Sequence, residues 1–303
     1  MEVVEQLCLH CKPLKVLDEG DIEACYRRRR PCVASLASLC LTSKSLNSIA
    51  IRHLYHRPEC EDWWLLAQTL VTRKDLARHV KYLYCLDWAY TSFPLKEPND
   101  YYKKAWLLEH TDAIGDEARV ILRSADTDAS LNIMCGLCPN LETLVLTEDY
   151  YSGTEFWLLY LLPDSMVHLR HLDVRADPHD GFQVENFAPL FRAAPNLTSL
   201  RFTGADTWDD LHLTLNHVTR VDLEKSHLDI KSFGNLLRAC PRLERLKYES
   251  CDPEGVEPPF TPREAKETIL EHAPNIKSFD LAVFRCKYRS GRCVYMPHGQ
   301  QTS

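Results

Sequence analysis

Cys138-Pro139-Asn140-Leu141-Glu142-Thr143-Leu144-Val145-Leu146 is a phrase that this chain repeats. It returns as Ala194-Pro195-Asn196-Leu197, continuing to Leu200 and Phe202. It returns again as Cys240-Pro241-Arg242-Leu243, with Leu246 and Tyr248, and as Ala273-Pro274-Asn275-Ile276, with Phe279 and Leu281. Two weaker copies lie between them, Leu169, Leu172 and Val174, and Val218, Val221 and Leu223. Val80, Leu83 and Cys85 form an earlier candidate. Self-similarity on this scale is the signature of stacked repeats, each burying its apolar face against its neighbours.

The phrase has a mechanical reading. Leu144 and Leu146 are two apart and share one face of a short strand. Leu141 enters from the turn before it. The proline follows apolar helical runs such as Phe187, Leu190, Phe191 and Phe233, Leu236, Leu237, and it cannot extend them. Each unit therefore reads as helix, turn, strand. The first apolar positions, 141, 169, 197, 218, 243 and 276, are spaced by 28, 28, 21, 25 and 33 residues. These spacings resemble the roughly 20–29 residues of leucine-rich repeats. The last gap is stretched by a Pro- and acid-rich insert from Cys251 to Pro262. The expected fold is α/β, a parallel-sheet solenoid.

Composition narrows the function classes. The chain has 303 residues, 45% hydrophobic and 26% charged, which is ordinary for a globular protein. The longest apolar stretch, Phe156 to Leu162, is far too short to span a bilayer. Glu2 and Glu5 stand where a secretory signal would be basic. The expected compartment is cytoplasmic or nuclear, with no membrane partner. Its thirteen cysteines then read as reduced thiols packed as small hydrophobes, with Cys40, Cys138 and Cys240 at apolar positions. The net charge of −7 argues against general nucleic-acid binding. Residues 1–60 hold nine Lys/Arg and seven Asp/Glu, and the remainder 27 and 36. The basic end is dominated by Arg27 to Arg30, a solvated loop or a nuclear-localisation patch.

Residues 1–60 do not fit the repeat. Val3, Val4, Leu7, Cys8 and Cys11 fall at helical spacing. After a polar loop, Val33, Leu36, Leu39 and Cys40 make a second apolar run. Thr42 to Ser45 interrupts it with helix-capping residues. Leu46, Ile49, Ala50 and Leu54 make a third. The stretch Ala34 to Ala50 resembles the second half of an F-box, and Glu2 to Cys11 its first helix. The continuation His53-Leu54-Tyr55-His56 is similar to fungal F-box proteins, in which such a segment leads into leucine-rich repeats. That resemblance implies an F-box-like module over 1–60 and a capped repeat array over 61–303. It implies docking on a Skp-type adaptor of a cullin–RING ubiquitin ligase, with the repeats recruiting a protein substrate. Carried over by position, Val4, Leu7, Leu36, Leu39, Leu46 and Ile49 would line the adaptor contact or the small core behind it. The Leu-Pro pair that opens an F-box is missing, which implies that the natural module starts upstream of Met1. The alternative is a protein-interaction scaffold that does not bind the adaptor.

Trp63, Trp64, Leu66, Ala67, Leu70 and Val71 repeat at three and four, as a helix sealing the open end of the array would; stacking on a cofactor is the sharper and weaker reading of the tryptophan pair. Residues 92–116, with Pro94, Pro98, Tyr101 and Tyr102, read as a surface excursion.

Chemistry-bearing patterns are few. Cys8 and Cys11, with Cys25 and Cys32 downstream, could supply four zinc ligands, but they lie on an apolar helical face and beside an arginine run. Cys135 and Cys138 sit at a helix end with no second pair. Core cysteine is the better reading of both, so no metal is expected. There is no Gly-x-Ser-x-Gly, Gly-rich phosphate loop or His-Glu-x-x-His, so neither cofactor nor enzymatic activity is expected. On the strands, the residues between the buried leucines form two columns. One reads Val145, Asp173, Arg201, Asp222, Lys247, Asp280 and alternates in charge, pairing with itself. The other reads Thr143, His171, Ser199, Arg220, Arg245, Ser278. Arg220 and Arg245 fall on consecutive strands of that column, so His171, Arg220 and Arg245 are the candidate substrate-binding residues. An acidic or phosphorylated segment is the expected ligand, unless Glu224 or Glu249 already satisfies the arginines.

Overall fold

The computed structural model describes residues 33–58, 63–85, 109, 134–147, 163–176, 181–209, 212–252, 260–289 and 292–297. Each copy of the phrase becomes a turn and a strand. The strands are β1 (Tyr82–Cys85), β2 (Thr143–Thr147), β3 (His171–Arg175), β5 (Ser199–Thr203), β7 (Arg220–Ser226), β8 (Arg245–Asp252) and β9 (Ser278–Arg289). They lie side by side in chain order and all run parallel. β10 (Arg292–Pro297) folds back antiparallel on β9. Two short strands, β4 (Phe182–Gln183) and β6 (Ala205–Thr207), pair in a separate small sheet. The fold is thus α/β with a mostly parallel sheet.

The turn before each strand has one form. The amide of the first apolar residue donates to the carbonyl three residues back, as in Val80 to Ala77 (3.2 Å), Leu141 to Cys138 (3.1 Å), Leu197 to Ala194 (3.3 Å) and Leu243 to Cys240 (3.0 Å). The weak copies share it. Leu169 donates to Met166 and Val218 to Leu215, and both acceptor residues are buried where the strong copies carry Cys or Ala. The first apolar residues 80, 141, 169, 197, 218 and 243 are buried, while Ile276 in the last unit is only half-buried.

The prolines stop helices as the phrase implies. Ala188–Ala193 (α5), Ile230–Ala239 (α6) and Pro262–His272 (α7) end at Ala194, Cys240 and Ala273, each followed by proline. All three caps have the same backbone, with φ between −138° and −116° and ψ between 61° and 69°. A residue before proline is excluded from the helical region, so the chain turns out toward the strand. The asparagine after the proline then reaches back to the preceding unit. Asn140 Nδ2 donates to the Arg78 carbonyl (2.8 Å), Asn196 to Val167 (2.9 Å) and Asn275 to Pro241 (3.5 Å). Arg242 occupies this position in the remaining copy and is exposed.

One expectation needs correction. Not every unit is helix, turn, strand. Between β5 and β7 the 21-residue spacing holds β6 and turns, and no helix is present among the described residues there. Aromatic residues fill the layer instead. Trp208 is fully buried, with Phe202 edge-on at 5.9 Å and Phe191 stacked at 6.2 Å. Asn235 Nδ2 holds the Trp208 carbonyl at 2.9 Å.

At the start, residues 33–42 are helical (α1), and Ser43 caps the next helix, α2 (Lys44–His56), through a bond from the Leu46 amide. α3 (Trp63–Thr72) carries the expected apolar face, with Leu66, Ala67, Leu70 and Val71 buried in the main core. α4 (Lys74–Ala77) leads into β1. The side chains of Trp63 and Trp64, residues 92–108 and most of the Cys251–Pro262 insert lie outside the described residues.

The core gives a direct stability test. Leu200 is fully buried between its neighbours, so Leu200→Ala should cost ~3 kcal/mol. Asn196→Ala should cost only ~1 kcal/mol, the loss of one half-buried hydrogen bond. Urea unfolding of the two variants should therefore show midpoints lowered in that order.

Candidate functional site

Strand alternation splits the sheet. Leu144, Leu146, Leu172, Val174, Leu200 and Phe202 point into the main core, so the residues between them form the second face. The expected columns are in register: Thr143, His171, Ser199, Arg220, Arg245 and Ser278 are successive partners, and so are Val145, Asp173, Arg201, Asp222, Lys247 and Asp280.

The charges on this face do not pair across the column. They pair along strands and on diagonals. Arg175 grips Asp173 with two nitrogens, at 3.0 and 2.6 Å, and Asp173 is 1% exposed. Burial pulls the Arg175 guanidinium down, but its bonds to Asp173 outweigh that and hold it above its usual value. Arg201 Nη2 lies 2.9 Å from both oxygens of Glu224, and Lys247 Nζ reaches Glu224 at 3.0 Å and Glu249 at 3.4 Å. Burial opposes ionisation of Glu224, but the two cations outweigh it and hold its carboxyl below the usual range. The diagonal follows from reach: a diagonal neighbour is about 7–8 Å away, farther than the lateral one, but within the span of Arg, Lys and Glu side chains.

The candidate substrate-binding residues fall as follows. Arg220 is held by Asp222 on its own strand, at 2.9 Å from Nε and 2.7 Å from the terminal nitrogen. Its partner is therefore Asp222, not Glu224 or Glu249. Arg245 is exposed and has no ion-pair partner among the described residues. His171 lies two strands away from Arg220, with Ser199 between them. Burial lowers the His171 pKa, Arg170 and Arg220 lower it further, and Glu142 opposes. It is thus a neutral imidazole near pH 7, and its Nδ1 is buried with no hydrogen-bond partner among the described residues. The three residues share one column, but only Arg245 presents an uncommitted positive charge.

The face is graded. Tyr84, Val145 and Asp173 at the β1–β3 end are buried. Arg245, Ser278 and Asp280 at the β8–β9 end are exposed. Arg57 lies over the Tyr82 ring at 4.2 Å, tying the end of α2 to β1, and the Lys81 amide donates to the His56 carbonyl at 3.0 Å.

The helical segment divides the candidate adaptor residues. Leu36 is 1% exposed and forms a small cluster with Ala50, against which Leu39, Cys40, Ile49 and Leu54 pack. Leu36, Leu39 and Ile49 therefore build the module's own core. Leu46 is half-buried, and Leu41 is 89% exposed. Val4 and Leu7 lie outside the described residues, as do Cys8, Cys11, Cys25, Cys32 and Arg27 to Arg30. Ile51 and Tyr55, on the same α2, pack against the main core, so α2 belongs to both clusters. Leu41 could have been found from the sequence, since it follows the last buried turn of its helix and directly precedes the capping residues.

Cys135 and Cys138 are buried free thiols. Burial pushes Cys135 up to about 12 and Cys138 further still. No group of three or more metal-ligating side chains occurs among the described residues, and no helix among them is long and apolar enough to cross a membrane.

Comparison with protein-family models and with curated proteins finds no match to this chain.

A half-buried acid on the small sheet makes pH a probe. Asp206 of β6 sits against Gly181, where an added Cβ would lie 1.7 Å from a carboxylate oxygen. Gly181 has φ +57°, which favours glycine in any case. Burial raises the Asp206 pKa from 3.8 to about 6. The folded state thus holds a proton that the unfolded state has released between those values, so the fold is penalised as pH rises through 6. Asp206→Asn should raise Tm relative to the parent above pH 6, and the difference should vanish by about pH 4, as read by thermal melts across that range.

Proposed function

We propose that this chain is the substrate-recognition subunit of a Skp–cullin–F-box ubiquitin ligase. Its α1–α2 module serves as the F-box, and its strands form a leucine-rich-repeat solenoid that recruits a protein substrate. The observation that supports this reading is the joining of two features. A short helical pair is tied to β1, and beyond β1 the repeated units follow one another in chain order with the repeated positions in register. In this arrangement the chain carries no chemistry of its own. It holds a substrate near a conjugating enzyme, and the acceleration is one of proximity.

The adaptor contact falls to the apolar groups that the module leaves outside its own core, Leu41 first and Leu46 beside it. The substrate contact falls to the exposed β7–β9 part of the second face. An acidic or phosphorylated segment would be drawn to Arg245, with Arg220 recruited by exchange from Asp222. The burial of Leu36 favours a second reading, a scaffold that does not bind the adaptor, because a Leu36 committed to the module's core is not available to a partner.

Affinity purification of the full chain from cell lysate, followed by mass spectrometry, separates the two. A Skp-type adaptor and a cullin should co-purify. Leu41→Asp with Leu46→Asp should lower their recovery at least ~10-fold, as expected when a charge enters a desolvated contact, while leaving Tm unchanged. Leu36→Asp should instead unfold the α1–α2 pair. Partners without adaptor or cullin would leave the scaffold reading standing. Arg245→Glu should remove a subset of non-ligase partners while the adaptor is retained, and an unaltered partner set would exclude the acidic-segment contact.

A further inference from the structure

The sheet has two ends, and they are finished differently. At the β1 end, Leu83, Tyr84 and Cys85 are 0–5% exposed, and Leu83 and Cys85 share one core with Leu66 and Leu70 of α3 and Leu76 of α4. At the β9 end, Phe279 and Leu281 are only half-buried, Ser278 and Asp280 are exposed, and Leu270 on the neighbouring α7 is 66% exposed. β10 pairs with Phe284 to Arg289 alone. Residues 278–283 of β9 therefore have β8 on one side and no strand on the other among the described residues.

The backbone on that side is aimed outward. The Ser278 amide donates to the Glu244 carbonyl at 3.1 Å, toward β8. Strand alternation then turns Asp280 and Ala282 toward β8 as well. It turns the amides and carbonyls of Phe279, Leu281 and Val283 to the open edge. A row of such groups is a template for one more strand.

The side chains say what that strand should carry. The charged column runs Asp173, Arg201, Asp222, Lys247, Asp280, alternating in sign up to the edge. Lys247 is already bonded to Glu224 and close to Glu249. Asp280 has no ion-pair partner among the described residues and faces solvent. A Lys or Arg on an added strand, beside or diagonal to Asp280, would give that carboxylate the cation it lacks. On the opposite face, apolar side chains would complete the cover over Phe279 and Leu281. Pro297 of β10 stands opposite Phe284 and bounds the site to a strand of about six residues, roughly 20 Å.

We propose that the open edge of β9, residues 278–283, is a strand-acceptor site for an extended peptide in which apolar residues alternate with Lys or Arg. The proposal rests on the sheet alone and holds whether or not the chain binds a Skp-type adaptor.

The test uses the full chain and a fluorescein-labelled Thr-Val-Lys-Val-Lys-Val-Thr peptide, followed by anisotropy and by amide hydrogen exchange. Saturable binding is expected. It should weaken at least ~10-fold when glutamate replaces the peptide lysines, when proline replaces the central valine, or when the protein carries Asp280→Lys. Asp280→Asn should give a smaller loss, which separates charge reversal from misfolding. Bound peptide should newly protect the amides of Phe279 and Leu281 while leaving Asp280 unchanged. The proposal is overturned if the lysine and glutamate peptides bind alike, or if protection appears away from β9. It is equally overturned if the full chain is a dimer that Asp280→Lys dissociates, since the edge then belongs to a second copy. Binding seen only after removal of the residues following Pro297 would assign the edge to this chain's own end and would also overturn it.

Discussion

One shared hydrogen bond sets the position of each parallel strand of the main sheet on its neighbour. At each junction a single carbonyl accepts two successive amides of the next unit. Lys81 accepts from Glu142 and Thr143, and Glu142 from Arg170 and His171. Arg170 accepts from Thr198 and Ser199, Thr198 from Thr219 and Arg220, Thr219 from Glu244 and Arg245, and Glu244 from Lys277 and Ser278. A one-residue slip would turn every buried leucine to the other face. The fork removes that freedom six times over, and it does so through backbone, so the side chain at the accepting position can vary. Lys, Glu, Arg and Thr all occupy it.

Everything on the second face follows from that alignment. With the register locked, residues two apart along a strand and residues on the diagonal are both within the span of long side chains, and charges pair by that reach. Arg175 and Arg220 fold back on the aspartates of their own strands, while Arg201 and Lys247 converge on Glu224. The result is a face that largely neutralises itself. Its unspent charges, Arg245 and Asp280, lie at the β8–β9 end, where the core cover also thins.

The helical segment is built on a different principle. Its private core is small, with Leu36 and Ala50 at the centre, and so little apolar area cannot hold a fold by itself. It gains rigidity from α2, whose Ile51 and Tyr55 belong to the main core, and from Arg57 stacked on Tyr82. The module and the sheet are thereby one mechanical piece.

The sequence by itself determined the seven parallel strands β1, β2, β3, β5, β7, β8 and β9, their order and their register. It did so because Leu-x-x-Leu-x-Leu after proline encodes a turn, a buried entry residue and a two-residue period, all of them local. It also located the helix stops, since proline excludes the helical region for the residue before it. What it could not decide was set by neighbours distant in the chain. The unit between β5 and β7 reads as a helix when the period alone is counted, whereas the described residues there hold β6 and a packed Trp208. Asn140, Asn196 and Asn275 were visible as a recurring letter, but their bonds to the preceding unit exist only once the units stack. Arg220 looked like half of an arginine pair, because a column lists lateral neighbours and omits the aspartate two residues along the same strand. Leu36 was open to either the adaptor contact or the small core behind it, because an amphipathic pattern marks an apolar face without saying what covers it; the structure buries it against Ala50. Periodicity specifies which side of an element is buried; only the tertiary structure decides against what.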